Sequence, residues 1–244
     1  MKDIVDIANV KVQNTTYEKI IYEIQKSIKH DTKFFIVSIN AKKIILANQQ
    51  PELMDIINSS NCQIADGFGV IVGSKILKQK IKKRIKGIDL FEKICEVSDD
   101  INAKIFLFGS TTSVVEDTQR ELRNRNPNIE IVGISDGYNT NDASAIKMIN
   151  KSKANVVFVA KGSPSQEYWI NKNKDFIEAP VIMGVGGSFD VVSSRVKRAP
   201  KWIQNIGFEW LYRFLKQPRR YKDLVLIYKY VIFVIKYRKN KRKR

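Results

Sequence analysis

Histidine is almost missing from this chain of 244 residues: His30 is the only one. That excludes any metal site needing two imidazoles. It also argues against a Ser-His-Asp nucleophile, because His30 lies in a polar, lysine-rich turn. Cysteine is scarce as well. Cys62 and Cys95 form no CxxC pair, which points to two buried thiols in a reducing compartment rather than a disulfide framework. No Asp-x-Asp occurs, so a carboxylate-held divalent cation has no obvious ligands, and no metal or cofactor site is expected. Long apolar runs are lacking too. The longest, Leu224–Ile235, is interrupted by Lys229 and is well short of the roughly 20 residues that span a bilayer. The opening MKDIVDIANV has acids where a leader would be apolar, so no signal peptide is expected.

Acidic residues are unevenly absent. The chain carries 43 Lys+Arg against 25 Asp+Glu, a net charge of +18, but residues 195–244 hold 17 of the bases and only 2 of the acids. Residues 1–194 are thus nearly neutral and residues 195–244 strongly basic. This predicts a globular body over 1–194 and a basic helical appendage over 195–244, and disfavours a protein that coats nucleic acid uniformly.

Within the body, short apolar runs alternate with helical periodicity. Strands are predicted at Phe34–Ser38, Gln63–Ala65, Lys104–Phe108, Ile129–Val132, Asn155–Ala160 and Pro180–Met183. Helices are predicted from about Tyr17 to Lys29, near Ile44–Leu46, after Pro51, and over 67–75, 88–97, 112–125, 142–151 and beyond Pro164. Apolar strands of this length between helices imply an α/β fold. Its Rossmann-like, mostly parallel sheet would have helices on both faces, with ligands at the carboxyl ends of the strands. The loops after Val37, Ala65, Phe108, Ala160 and Met183 are then the candidate site.

Three of these places, and the stretch around Arg84, carry suggestive chemistry. Asp66, in Ala65-Asp66-Gly67-Phe68-Gly69, is a carboxylate at a strand end; taken alone it fits a cap on the next helix somewhat better than a general base. Gly184-Val185-Gly186-Gly187-Ser188-Phe189-Asp190 suits a phosphate at a helix N-terminus. It lacks the third glycine of the dinucleotide fingerprint, which argues against an NAD-linked oxidoreductase. Gln166 and Glu167, in the first turn after Gly162-Ser163-Pro164, suit sugar hydroxyls, although Glu167 would also complement a helix dipole. Arg84 could clamp a phosphate, or be one more solvated charge in a lysine-rich stretch.

The appendage mixes arginines, aromatics and an apolar segment crossed by a stripe of Lys222, Lys229 and Lys236, ending in Lys236–Arg244. An apolar face next to a polybasic cluster fits an anionic membrane surface. A helix for a homo-oligomer and an RNA-binding tail are the alternatives; nucleic acid is not the expected partner.

Seven segments together resemble the WecG/TagA/CpsF family of glycosyltransferases. They are Ser38-Ile39-Asn40, Ala65–Gly69, Arg84 with Gly87-Ile88-Asp89-Leu90, Gly162–Glu167, Gly184–Asp190, Arg198-Ala199-Pro200 and Glu209-Trp210-Leu211-Tyr212-Arg213. The resemblance implies a metal-independent, inverting enzyme. It would move an N-acetylmannosamine-type sugar from a UDP donor to polyprenyl-diphosphate-linked N-acetylglucosamine, on the cytoplasmic face of the plasma membrane. It implies Asp66 as base on the acceptor hydroxyl. Ser38, Asn40, Arg84, Gln166 and Glu167 would line the site, Gly184, Gly186, Gly187 and Asp190 would lie by the UDP, and Arg213 and Arg220 would hold the acceptor diphosphate. This chain departs from the family pattern at Ile39, Lys161 and Asp223. A non-catalytic nucleotide-sugar or polyanion-binding module is the alternative.

Overall fold

The computed structural model describes residues 3–196, 199–200 and 221–241. It opens on a hairpin absent from the sequence expectation, β1 (Ile4–Ile7) and β2 (Val10–Gln13), paired antiparallel. Ala8 and Asn9 form its two-residue turn, both at positive φ (51° and 70°), as the twist of a tight hairpin demands. The turn is bolted to the body: Asn48 Nδ2 donates to the Ala8 carbonyl, and Asn9 Nδ2 donates to Asn48 Oδ1.

The rest is a doubly covered sheet. In chain order come α1 (Tyr17–His30), β3 (Phe34–Ile39), α2 (Ala41–Gln49), α3 (Pro51–Ser59), β4 (Cys62–Ala65), α4 (Phe68–Ile76), α5 (Gly87–Glu96), β5 (Lys104–Gly109) and α6 (Thr112–Arg125). They are followed by β6 (Glu130–Ser135), α7 (Asp142–Lys151), β7 (Val156–Ala160), α8 (Ser165–Asn173), β8 (Val181–Gly184), α9 (Ser188–Val192) and α10 (Tyr221–Lys241). The six strands β4-β3-β8-β7-β5-β6 form one sheet, and every pairing is parallel. The predicted α/β architecture is therefore present.

Both faces are dry because side chains alternate along each apolar strand. On β3, Phe35, Val37 and Ile39 join one core with residues of the hairpin and of α2, α3, α4, α7, α8 and α10. Phe34 and Ile36 join the other, with residues of α1, α5, α6 and α9. Phe91 of α5 packs edge-on against Phe158 of β7, ring centroids 4.6 Å apart, worth about 0.5–1.5 kcal/mol beyond its buried area. Cys62 and Cys95 are buried, and burial pushes the Cys95 thiol up. β6 runs to Ser135, beyond the predicted end at Val132; Gly133 there lies flat over the Phe106 ring, where any Cβ would clash.

This topology places the site. Strands β3 and β8 are neighbours, yet the helix leaving β3 covers one face and the helix leaving β8 covers the other. A crevice opens where such connections diverge, at the carboxyl ends. The last helix, α10, lies on α2 and α4, with Tyr230 and Val234 fully buried. Val225 and Tyr228, and the stripe residues Lys229 and Lys236, are exposed. Among the described residues no helix is long and apolar enough to cross a membrane.

Candidate active site

A cleft of about 510 Å³ lies at the carboxyl ends of β4, β3, β8 and β7. It gathers Ser38, Asn40, Asp66, Arg84, Gln166, Gly184, Gly186 and Gly187, side by side from five separate stretches of chain. The loop after β5 does not line it: Ser110 N–H donates to the Ala160 carbonyl, turning that loop back on the sheet. Glu167 and Asp190 are not on its wall either. Arg213 and Arg220 lie outside the described residues.

Asp66 leaves β4 with its N–H bonded to the Ile39 carbonyl at 2.9 Å, which carries the loop across to β3. Its carboxylate does not cap the adjacent helix: α4 starts on Gly67 with no side-chain cap. Instead Oδ1 accepts from the Gly87 N–H, 3.1 Å away at the start of α5. Glycine at 87 is a spatial necessity, since a Cβ there would lie 2.5 Å from Ser38 Oγ and 3.5 Å from Asp66 Oδ2. Arg84 is tied in from the same side, its Nε donating to the Asp66 carbonyl oxygen. Tyr17 braces the segment by accepting the Lys86 N–H at 2.9 Å, and burial pushes its phenol up to about 12, so it stays protonated.

Asn40 has a second task beside lining the cleft. It is the N-cap of α2, its Oδ1 accepting from Lys43 N–H at 2.9 Å. Lys43 then runs beneath the cleft to Glu167, Nζ to Oε1 2.7 Å, with side-chain exposures of 2% and 1%. Glu167 Oε1 also accepts from Gln166 Nε2 at 2.9 Å, and Gln166 Oε1 accepts from the Gly186 N–H at 2.8 Å. The glycine loop is thus shaped around a glutamine: at Gly184 a Cβ would come within 2.5 Å of Gln166 Nε2.

The charge balance of the wall is clear. Lys42, Lys43, Arg84 and Lys86 line the cleft, and Asp66 is the one acid among the described lining residues. Lys43 is matched by Glu167 and Lys86 pairs with Asp89 at 3.5 Å, so the wall keeps a positive balance through Lys42 and Arg84 beside one carboxylate, a setting for an anion with a reacting hydroxyl nearby. Lys42, Lys43 and Lys86 were not foreseen from the sequence. Lys42 and Lys43 lie two and three positions after the capping Asn40, and a basic pair in a helix's first turn opposes the dipole, a signal that could have singled them out. Among the described residues no group of three His, Cys, Asp or Glu is placed to hold a metal.

A cationic cleft at the carboxyl ends of a parallel sheet, with one carboxylate among its described lining residues, is the kind of place where an α/β protein holds an anionic ligand beside a titratable group. Residues 5–244 match the model of the Glycosyl transferase WecG/TagA/CpsF family, and the chain belongs to that family. It is therefore a glycosyltransferase. Three relatives bear the same description, N-acetylglucosaminyldiphosphoundecaprenol N-acetyl-beta-D-mannosaminyltransferase. The one from Bacillus subtilis (strain 168) is 33% identical over 97% of this chain and 93% of its own length. That from Bacillus spizizenii is 36% identical over 83% and 79%. That from Staphylococcus aureus (strain MW2) is 34% identical over 98% and 94%.

Proposed function

We propose that this enzyme moves an N-acetylmannosaminyl group from a UDP donor to N-acetylglucosaminyl-diphospho-undecaprenol, with inversion and without a metal, in teichoic-acid or surface-polysaccharide assembly. The observation that carries the proposal is Asp66, the one acid among the described residues of a cationic wall, in a chain so similar to enzymes described by that reaction. Asp66 takes the proton of the acceptor hydroxyl as its oxygen attacks the anomeric carbon. The bond from that carbon to the UDP oxygen breaks, and the electron pair leaves with UDP. Arg84, Lys42 and Lys86 offset the charge that develops on the departing diphosphate. Ser38, Asn40 and Gln166 orient sugar and phosphate oxygens, Asp190 and the glycine loop lie by the donor, and Glu167 acts from behind Gln166. Arg213 and Arg220 belong to this reading as holders of the acceptor diphosphate.

The proposal extends to the membrane. The basic appendage over 195–244 would bring the body over 1–194 to an anionic lipid surface on the cytoplasmic face, where a lipid-linked acceptor resides. In support, α10 turns Tyr230 and Val234 to the body while Val225, Tyr228, Lys229, Lys236, Lys239 and Lys241 are exposed. The test is an incubation of full-length protein with a lipid-diphosphate N-acetylglucosamine analogue and a panel of UDP-sugars, following UDP release. UDP release with the N-acetylmannosamine donor is expected; no release with any member of the panel would overturn the reading.

A further inference from the structure

We infer that Lys43 and Glu167 are a buried positioning pair that fixes which way the Gln166 amide faces, and through it the shape of the Gly184–Gly187 loop. The two ends of an amide side chain differ only in that one donates and the other accepts. A carboxylate accepts only, so the nitrogen end of Gln166 must face Glu167 Oε1, at 2.9 Å. The oxygen end is then left for the Gly186 N–H, at 2.8 Å. A flipped amide would set its NH₂ against the Gly186 N–H and its oxygen against the carboxylate, turning two hydrogen bonds into two repulsions.

A carboxylate can stand in this dry place because Lys43 meets it at 2.7 Å. Glu167 Oε2 is buried with no hydrogen-bond partner, so the carboxylate's bonding is concentrated on the oxygen that touches both Lys43 and Gln166. The pair also spans the cleft from beneath. Lys43 belongs to the turn of α2 capped by Asn40, and Glu167 to the first turn of α8. Held this way, Gln166 keeps its second Nε2 hydrogen for the cleft, a donor to a ligand oxygen. That the ligand is a UDP-sugar rests on the function proposed above; the orientation itself does not.

The experiment compares full-length wild type with Lys43→Met/Glu167→Met, which removes both charges at similar volume, and with Glu167→Gln. In Glu167→Gln an acceptor oxygen is kept between Lys43 and Gln166 while the buried ammonium loses its counter-charge, so that variant should lose stability yet keep slow Gly186 exchange; fast exchange there would overturn the inference. In the double variant the Gly186 amide proton should exchange with solvent faster by about tenfold, the equivalent of one lost hydrogen bond. UDP affinity and the donor KM should weaken by a similar factor while kcat changes little. A pair serving only stability would lower the melting temperature and leave Gly186 exchange and UDP affinity unchanged; that result overturns the inference. If the double variant fails to fold, Gly184→Ala pushes on Gln166 Nε2 from the opposite side and should give the same Gly186 and KM signature; its absence would equally overturn the inference. Should wild type bind no UDP, the Gly186 exchange still decides the matter, and only the proposed substrate falls.

Discussion

Two strand ends of this molecule carry nearly the same words. Ile64-Ala65-Asp66-Gly67-Phe68 leaves β4, and Ile134-Ser135-Asp136-Gly137-Tyr138 leaves β6. The second Asp is consumed by its own loop: Asp136 Oδ1 accepts the N–H groups of Tyr138 and Asn139 at 3.0 and 2.6 Å. These bonds, the one from Asn139 foremost, hold its carboxyl below the usual range. Asp66 reaches away, to Gly87 at the start of another helix, and stands on the cleft wall. The glycines differ in the same way. A Cβ at Gly67 would press on Asn40 Cβ at 3.1 Å, inside the site; one at Gly137 would press on Gly109 Cα at 2.9 Å, in the loop folded back beside β5. A carboxylate and a glycine at a strand end therefore make a site only where the neighbouring connections diverge. At the other end of the sheet the same pair merely closes a turn.

The sharpest test of that contrast is a pair of isosteric changes. Asp66→Asn should lower kcat by about 10²–10⁴-fold, the usual worth of a general base, with UDP binding retained; Asp136→Asn should leave kcat near wild type. Near-normal turnover in Asp66→Asn would remove the difference between the two ends. Next in size is the support beneath the cleft. Lys43→Met alone leaves the Glu167 carboxylate buried and unmatched, and chemical denaturation should register a loss of about 3–5 kcal/mol. Smaller is the glycine pair. Gly67→Ala and Gly137→Ala should each cost about 1–3 kcal/mol by overpacking, but only Gly67→Ala, which displaces Asn40, should raise the donor KM; equal kinetics for the two would blur the contrast.

The smallest effect is Asp136→Asn on stability, about 0.5–1 kcal/mol at neutral pH once solvent screening is allowed for. Its sign with pH is fixed. A carboxyl lowered in the folded state contributes stability above its unfolded value near 3.8, and that contribution is lost as pH falls through the folded value. Wild type and variant should thus converge in melting temperature in strong acid and reach their full separation by about pH 4, above which the difference stays level.

Much of this could be read before any coordinates. Runs such as Val156–Ala160 are apolar on every residue, and only a strand covered on both faces tolerates that. Asp66 stood out because it follows a strand and Gln166 because it opens a helix, whereas Ser38, Asn40 and Arg84 entered through the family resemblance; the parallel topology brings all five to one edge. The hairpin escaped notice because its turn is Ala8-Asn9, without the glycine that usually marks positive φ. Glu167 was legible as a site residue, but its burial was not. Its partner Lys43 lies 124 positions away, and no local pattern encodes a contact of that span. The apolar half of α10 was legible too. Which of its residues would be core was decided by α4, where Gly69 and Gly73 leave room for the Tyr230 ring.

The Tyr230 hydroxyl is buried there without a hydrogen-bond partner. Water would satisfy that group at once, so each opening of α10 recovers a bond that the docked state forgoes. The terminal helix is held by its rings and aliphatic groups, and its buried Tyr230 hydroxyl makes that hold weaker than the buried area alone would give. What it uncovers on leaving is the spine of α4, whose first residue, Phe68, forms part of the cleft rim. One short helix thus serves two neighbours: Gly69 and Gly73 of α4 lie against Tyr230, and Phe68, two residues from Asp66, lines the cleft.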